Sequence, residues 1–318
     1  MNKIACIASL DGLDNCVAEN TKKSYRDLGY VTIVGTGIVD ADILVLLRGG
    51  ISRTIDCSCY QTVHVYNYVG QDNSQIILEN VKHLVLIEHQ ESLEPLRPKA
   101  DRRPDAVIRA RHAVFPQLWQ QEPRQIRYSV SHVGNYKQLT TCGALDAPQQ
   151  ELINHMNGVG ADVWGRGWQT ILSSAKIHRA VSLWAVPRIF ASANVTLGLR
   201  YPYQRQHDLI SSRYWLAPLT GCPVVSAEPA LHQDLPGVMF ASYDNCGSFR
   251  LGHHDRRLLA KRTASYWSDL TDSLQSQLRE NMRSIQHETQ YKFGHAKIWF
   301  QHEINMFLRR TKSRIERD

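Results

Sequence analysis

The rhythm of apolar and polar positions is most informative across residues 194–229. An apolar run from Asn194 to Leu199 reads as a strand, and a polar loop with His207 and Asp208 follows. Helical spacing then runs from Ser211 to Leu219, a turn occupies Thr220-Gly221-Cys222-Pro223, and Val224-Val225 begins a second short strand. The pattern predicts a strand–loop–helix–strand unit with Arg213 near the helix N-terminus. Partial positive charge and unpaired N–H groups suit that terminus to a phosphate. A guanidinium there adds a bidentate donor fork. An ordinary βαβ unit with a solvated arginine has the same pattern.

The same alternation fills the rest of the chain. Strands are expected at Ile4 to Leu10, Tyr30 to Val34, Ile43 to Leu47, Val63 to Tyr68 and Leu84 to Ile87. Helical stretches separate them: one ending near Leu28, a short one after Leu47, and one over Ser74 to Asn80. Ile43 to Leu47 is continuously apolar, as in a parallel strand buried on both faces. This rhythm predicts a doubly wound α/β sheet, whose ligands sit beyond the carboxyl ends of the strands. Asp11, Asp14, Asp72 and Glu88 fall at such ends. Gly35-Thr36-Gly37 lacks the third glycine of a dinucleotide fingerprint.

Phe115-Pro116 to Pro123 reads as an interdomain linker, after which the rhythm restarts. A strand over Tyr128 to Val133 runs into Gly134-Asn135-Tyr136-Lys137. A helix spans about Ala147 to Asn157, and a strand over Ala161 to Trp164 runs into Gly165-Arg166-Gly167-Trp168. Glycines after strands let a backbone approach an anion closely, with Lys137 as counter-charge. Asp244 to Asp255 reads as a polar loop. Its His253-His254-Asp255 has no spacing of a metal motif, so no metal site is expected. Two amphipathic helices are expected over Ser265 to Phe293 and Ala296 to Arg310.

Length changes the picture by allowing two domains: 318 residues suffice for two cores. The expected division is 1–120, 121–290, and a helix over 291–318 returning to the first domain. A net charge of +7 and a pI of about 9.0 favour polyanionic partners. The charge concentrates in residues 95–112, where Arg97, Lys99, Arg102 and Arg103 lead a proline-broken basic loop suited to nucleic-acid phosphates. The seven cysteines are scattered, with a single CxC at Cys57 and Cys59, and read as reduced thiols of a cytoplasmic protein. No apolar stretch approaches the roughly 18 residues of a membrane helix, so no membrane span is expected. Ile4 to Leu10 reads as a first strand rather than part of a signal peptide.

These motifs occur in a recognisable order. His132 to Lys137, then Val163 to Trp168, then Ser211 to Val225 (Ser-Ser-Arg-Tyr-Trp-Leu-Ala-Pro-Leu-Thr-Gly-Cys-Pro-Val-Val) resemble the nucleotide-sugar domain of GT-B glycosyltransferases. Within that class the chain resembles the phage DNA β-glucosyltransferases, which glucosylate 5-hydroxymethylcytosine in duplex DNA. Their Gly-Gly-Ser-Phe-Arg turn lines up with Val133 to Lys137, and their Leu-Arg-Val-Trp-Glu segment with Ser212 to Leu216. Their helix Leu-Arg-x-x-Met-x-Ser-Ile-Gln-His reads here as Leu278 to His287. The likeness covers roughly residues 126–310.

The resemblance implies two Rossmann-like domains facing a cleft, with C-terminal helices packing back toward the first. It implies transfer of a sugar from a nucleotide sugar, UDP-linked by expectation, to a hydroxymethylated pyrimidine in DNA. Arg213 would contact the diphosphate, and Gly134, Asn135 and Lys137 would sit at the phosphates. Gly165 would let the uracil and ribose approach the backbone. The family's ribose-binding glutamate is replaced by Leu216, so either Asp208 or Glu228 would supply that acceptor or the donor would bind differently. A carboxylate after a strand of the first domain would be the catalytic base, Asp72 by preference and Asp11 as alternative. No cofactor is obligatory on this reading, a divalent metal remains open, and a monomer is expected. Two alternatives stand beside it: a transferase of surface polysaccharide or protein, and a DNA-binding protein on a degenerate transferase scaffold.

Overall fold

A computed structural model describes residues 3–9, 16–34, 41–47, 54–57, 60–66, 75–77, 80–88, 104–136, 140–141, 144–145, 147–200, 210–226, 235–240 and 249–289. The chain divides into two compact units. One comprises Met1–Leu13, Ala18–His112 and Ser273–Asp318, and the other Asp14–Val17 and Ala113–Asp272.

The first unit is a six-stranded parallel sheet. Its strands are β1 (Lys3–Ser9), β2 (Tyr30–Val34), β3 (Ile43–Leu47), β5 (Thr62–Tyr66), β7 (His83–Glu88) and β8 (Ala106–Arg109), in spatial order β2-β1-β3-β5-β7-β8. Helix α1 (Cys16–Asp27) connects the first two. Burial follows position in the sheet. Inner strands β3 and β5 are buried along their whole length, as the unbroken apolar run of β3 predicts and despite Thr62 and His64 in β5, whereas edge strand β2 is largely half-exposed. Among the described residues of the stretch Ser74 to Asn80, where a helix is expected, there is none. Instead Gln75–Ile77 (β6) pairs in parallel with Thr54–Asp56 (β4). Consecutive isoleucines are stiff at χ1 and favour extended backbone, and a partner strand decides the matter.

One buried polar network lies inside this unit. The Tyr25 hydroxyl of α1 meets His64 Nδ1 of β5 at 2.5 Å. Burial depresses the His64 pKa to about 3. Its Nε2 has no hydrogen-bond partner among the described residues.

The second unit is another parallel six-stranded sheet. Its strands are β9 (Tyr128–Val133), β12 (Asp162–Trp164), β13 (Lys176–His178), β14 (Ala193–Leu197), β15 (Val224–Ser226) and β16 (Val238–Phe240). Their order is β13-β12-β9-β14-β15-β16. The chain winds outward from β9 to β13, returns to β14 on the other side of β9, and winds outward again. The direction therefore reverses between β9 and β14. At such a switch point the loops diverge and leave a crevice beyond the carboxyl ends of the strands. A small hairpin of Thr140–Thr141 (β10) and Ala144–Leu145 (β11) also lies here.

Two apolar layers cover the sheet. Neighbours Val224 and Val225 belong to opposite layers, as the pleat requires. One layer contains Val130, Leu152, Met156, Val163, Trp168 and Val195, with α3 (Ala147–Val159) packed on it. The other contains Trp119 of α2 (Pro116–Trp119), Phe190 of α4 (Val186–Ala191), and Tyr214, Trp215 and Leu216 of α5 (Arg213–Leu216).

The last helix, α6 (His253–Thr289), begins 12 residues earlier than its apolar periodicity predicts. Its first inward-facing positions are Arg256, Ala260 and Thr263, too polar for a hydrophobic pattern to register. The His253-His254-Asp255 sequence forms its first turn, all three exposed. Successive side chains on a helix point about 100° apart, so these three do not converge on one ion. The second C-terminal helix expected over Ala296 to Arg310 lies outside the described residues.

Candidate active site at the β9–β14 switch point

The turn after β9 and the turn after β12 close on each other. Gly134 N–H donates to the Trp164 carbonyl (2.9 Å) and Tyr136 N–H to the Arg166 carbonyl (2.8 Å). The Arg166 N–H in turn donates to Asn135 Oδ1 at 2.9 Å, and Trp168 Nε1 to the Gly134 carbonyl at 2.7 Å. This contact requires glycine at 165, because a Cβ there would run into the Gly134 carbonyl oxygen. The glycine turn after β9 is expected to turn backbone N–H groups toward a phosphate; here the amides of Gly134 and Tyr136 have backbone carbonyl partners. They are committed to this zipper, which extends the β9–β12 ladder past its last residues.

Arg213 supplies the positive charge. Its Nη2 donates to the Val133 carbonyl at 2.7 Å and its Nη1 to the Leu199 carbonyl at 3.5 Å. Those carbonyls end β9 and follow β14, the two strands between which the winding reverses. The guanidinium is half-buried. It lies over Gly134, where a Cβ would come within 2.7 Å of Nη2. The sequence predicted a helix from Ser211 to Leu219 that would present its N-terminus. The structure has a single α-turn, Arg213–Leu216, followed by a 3₁₀ turn, Pro218–Thr220. Proline 218 has no N–H and its ring crowds the carbonyl four residues back, so the α-helix stops. One turn carries little macrodipole, and the anion-binding character rests on the guanidinium itself.

His132 completes the constellation. Its Nδ1 lies 3.1 Å from the Leu197 carbonyl, which can only accept, so Nδ1 carries the proton. Nε2 is then a lone-pair acceptor, directed toward Gly134. Burial, and then the charge of Arg213, hold its pKa well below the usual histidine range, against a weaker opposing effect of the Leu197 bond. The ring stands edge-on to Trp168, with centroids 5.3 Å apart. A neutral imidazole can therefore sit beside Arg213 without like-charge repulsion. Sequence reasoning passed over His132. The signal was present: a titratable residue two positions before a strand-ending glycine.

Of the residues expected at the donor, the structure brings Gly134, Asn135, Gly165 and Arg213 together. Lys137, Asp208 and Glu228 lie outside the described residues, as do Asp72, Arg97, Lys99, Arg102 and Arg103. Leu216, which replaces the family's glutamate, is a core residue beside Trp215 and Ala217, 2% exposed. Among the described residues no three His, Cys, Asp or Glu side chains gather to hold a metal. None of the four described cysteines, Cys6, Cys16, Cys57 and Cys222, is in a disulfide. Among the described residues no helix is long and apolar enough to cross a membrane.

No family model matches this sequence, and no curated protein sequence matches it. Solved structures do resemble it. A T4 phage BGT structure with its UDP-glucose substrate superposes with a TM-score of 0.52, covering 89% of this chain and 98% of that one at 10% identity. A T4 phage BGT structure with UDP and Mn2+ gives 0.51, covering 89% and 99%, also at 10% identity. A structure of the DNA modifying enzyme β-glucosyltransferase gives 0.51 at 8% identity, covering 88% and 98%. With near-complete coverage on both sides and two parallel six-stranded sheets, the chain has the GT-B fold of these glucosyltransferases.

Proposed function

We propose that this protein is a glycosyltransferase that moves a sugar from UDP to a hydroxyl acceptor, the hydroxymethyl group of a modified pyrimidine in DNA. The observation that carries the reading is the Arg213 guanidinium held by carbonyls at the ends of β9 and β14, at the switch point of the second sheet. The fold shared with a UDP-glucose enzyme supports it.

In the proposed reaction the acceptor oxygen forms a bond to the sugar's anomeric carbon as the bond from that carbon to the diphosphate breaks. The acceptor proton passes to a carboxylate, Asp72 or Asp11. Negative charge accumulates on the departing diphosphate, and Arg213 stabilises it there more than in the ground state. Lys137, the next residue in sequence after Tyr136, would add positive charge. Gly134, Asn135 and Gly165 keep the turns tight enough for the nucleotide to approach the backbone. Neutral His132 offers Nε2 to a donor hydroxyl without adding charge. Asp208 and Glu228 are the candidates for the ribose, and a divalent ion would accompany the diphosphate rather than a side-chain cage. Arg97, Lys99, Arg102 and Arg103 would meet the DNA phosphates.

The test pairs binding with turnover. UDP affinity is measured by calorimetry for the native protein and Arg213→Ala, with uridine as a phosphate-free control. Loss of a charge-assisted fork weakens UDP by about 10²-fold while leaving uridine unchanged. Equal UDP affinity in the two proteins removes Arg213 from the site. Hydroxymethylated and unmodified duplexes are then incubated with UDP-sugars and digested for nucleoside mass spectrometry. A hexose mass gain on the hydroxymethylated duplex alone is the expected result.

A further inference from the structure

The second unit carries an exposed indole that the donor site does not use. Trp184 lies in the 3₁₀ turn Leu183–Ala185 that leads into α4, and it is 55% exposed, the most exposed large apolar residue described. It is not a loose side chain. It stacks on the fully buried Trp119 with centroids 5.0 Å apart and planes 11° from parallel. Trp119 in turn packs edge-on against Trp215, two residues after Arg213. The outer indole is thus a fixed flat surface, anchored through one buried ring to the element that bears Arg213.

Exposed positive charge lies along the segments next to it. Arg188 follows Trp184 by four residues and is exposed on α4, the helix into which the 3₁₀ turn leads. The segment before β9 runs along the other end of α4. Arg124 N–H donates to the Ala191 carbonyl and Arg127 N–H to the Ser192 carbonyl, each at 2.8 Å. Arg124, Arg127 and Arg188 are all exposed, and their side chains have no ion-pair partner among the described residues. Across residues 115–127 and 179–192 the sole carboxylate is Glu122, and Arg257 occupies it at 3.1 Å. A protein partner selects surfaces of mixed sign with a satisfied polar rim. A rigid indole in a field of uncompensated arginines instead matches a polyanion with aromatic faces.

We propose that Trp184, Arg188, Arg124 and Arg127 form a nucleic-acid-binding surface on the second unit, with an unstacked base on the indole and its flanking phosphates on the arginines. The proposal rests on the DNA-acceptor part of the function proposed above and adds a strand-binding surface that reaches the amino-terminal ends of β9 and β14, away from Arg213 at their carboxyl ends. Base–aromatic stacking tolerates any sequence, and the arginines contribute the salt-dependent part of binding.

The test uses the full chain, fluorescein-labelled oligothymidine, and anisotropy over a series of salt concentrations. UDP affinity is measured on the same samples. Trp184→Ala weakens oligothymidine binding at least about fivefold, and Trp184→Phe recovers most of it. Neither changes UDP affinity. Arg188→Gln lowers the slope of log K against log salt by about 0.7. Oligothymidine affinity unchanged in Trp184→Ala overturns the proposal. So does polyglutamate competing as well as oligothymidine, because it has charge but no bases. Absence of oligothymidine binding at low salt with UDP binding intact overturns this surface and leaves the sugar-donor reading standing. Absence of UDP binding with oligothymidine binding intact and dependent on Trp184 does the reverse.

Discussion

Arg256 offers the most direct test of what holds the donor unit together. Its side chain is 2% exposed, and among the described residues no carboxylate pairs with it. Its guanidinium instead donates to four carbonyls: Gly221 at 3.1 Å, Arg124 at 2.9 Å, Ala191 at 2.8 Å and Ala193 at 3.0 Å. These belong to the turn after α5, the segment before β9, the end of α4 and the start of β14. One residue therefore ties together the elements that place Arg213 and both switch-point strands. Replacing it with methionine removes the charge and keeps most of the volume, but takes a donor from each of the four carbonyls, of which that of Ala191 keeps the Arg124 N–H at 2.8 Å. Each unsatisfied carbonyl costs about 1 kcal/mol or more, partly offset because the guanidinium no longer has to be desolvated. The expected loss is about 3–5 kcal/mol, or roughly 10 °C in melting temperature for a unit of this size. Arg256→Lys keeps the charge but not the planar fork, and reaches fewer of the four carbonyls, so an intermediate loss of about 2 kcal/mol is expected. Urea unfolding followed by tryptophan fluorescence measures both. A methionine variant within 1 kcal/mol of native would refute the reasoning, since four such bonds cannot all be lost at so small a cost.

Two further predictions use the same physics. Gly134→Ala places a Cβ against the movable end of Arg213 on a backbone with φ of +158°, so the guanidinium swings aside and UDP affinity falls at least about tenfold, with a smaller loss of stability than in Gly165→Ala. Gly165→Ala meets fixed backbone instead, so soluble expression or melting temperature falls first; a normally stable alanine variant contradicts the close approach of the two turns. His64 gives a pH dependence. Its folded pKa is depressed to about 3 from 6.5, so between those values the unfolded chain binds the extra proton and stability drops as pH falls. The slope is about 1.4 kcal/mol per pH unit and the total is near 5 kcal/mol. His132 acts in the same sense. Unfolding free energies from pH 7 to 4 should therefore fall less steeply in His64→Gln than in the native chain, and identical slopes in the two refute the assignment.

Sequence alone determined the α/β class and most of the strands. The physical reason is local: a parallel strand buried on both faces must be continuously apolar, as Ile43 to Leu47 is, and a glycine turn must follow where two backbones meet, as at Gly134 and Gly165. It also singled out Arg213. Tertiary structure decided what these pieces do together. Strand order is set by contacts between residues as distant as Val130 and Val195, and only that order places the switch point beside Arg213. Pairing with β4 made a strand of Gln75–Ile77 against its helical spacing. The neutrality of His132 follows from burial beside a charge that lies 81 residues further along the chain. The role of Arg256 depends on four carbonyls drawn from separate elements, so no window of sequence contains it. Local preference is written residue by residue, whereas burial, charge proximity and strand neighbours exist only once the chain has closed on itself.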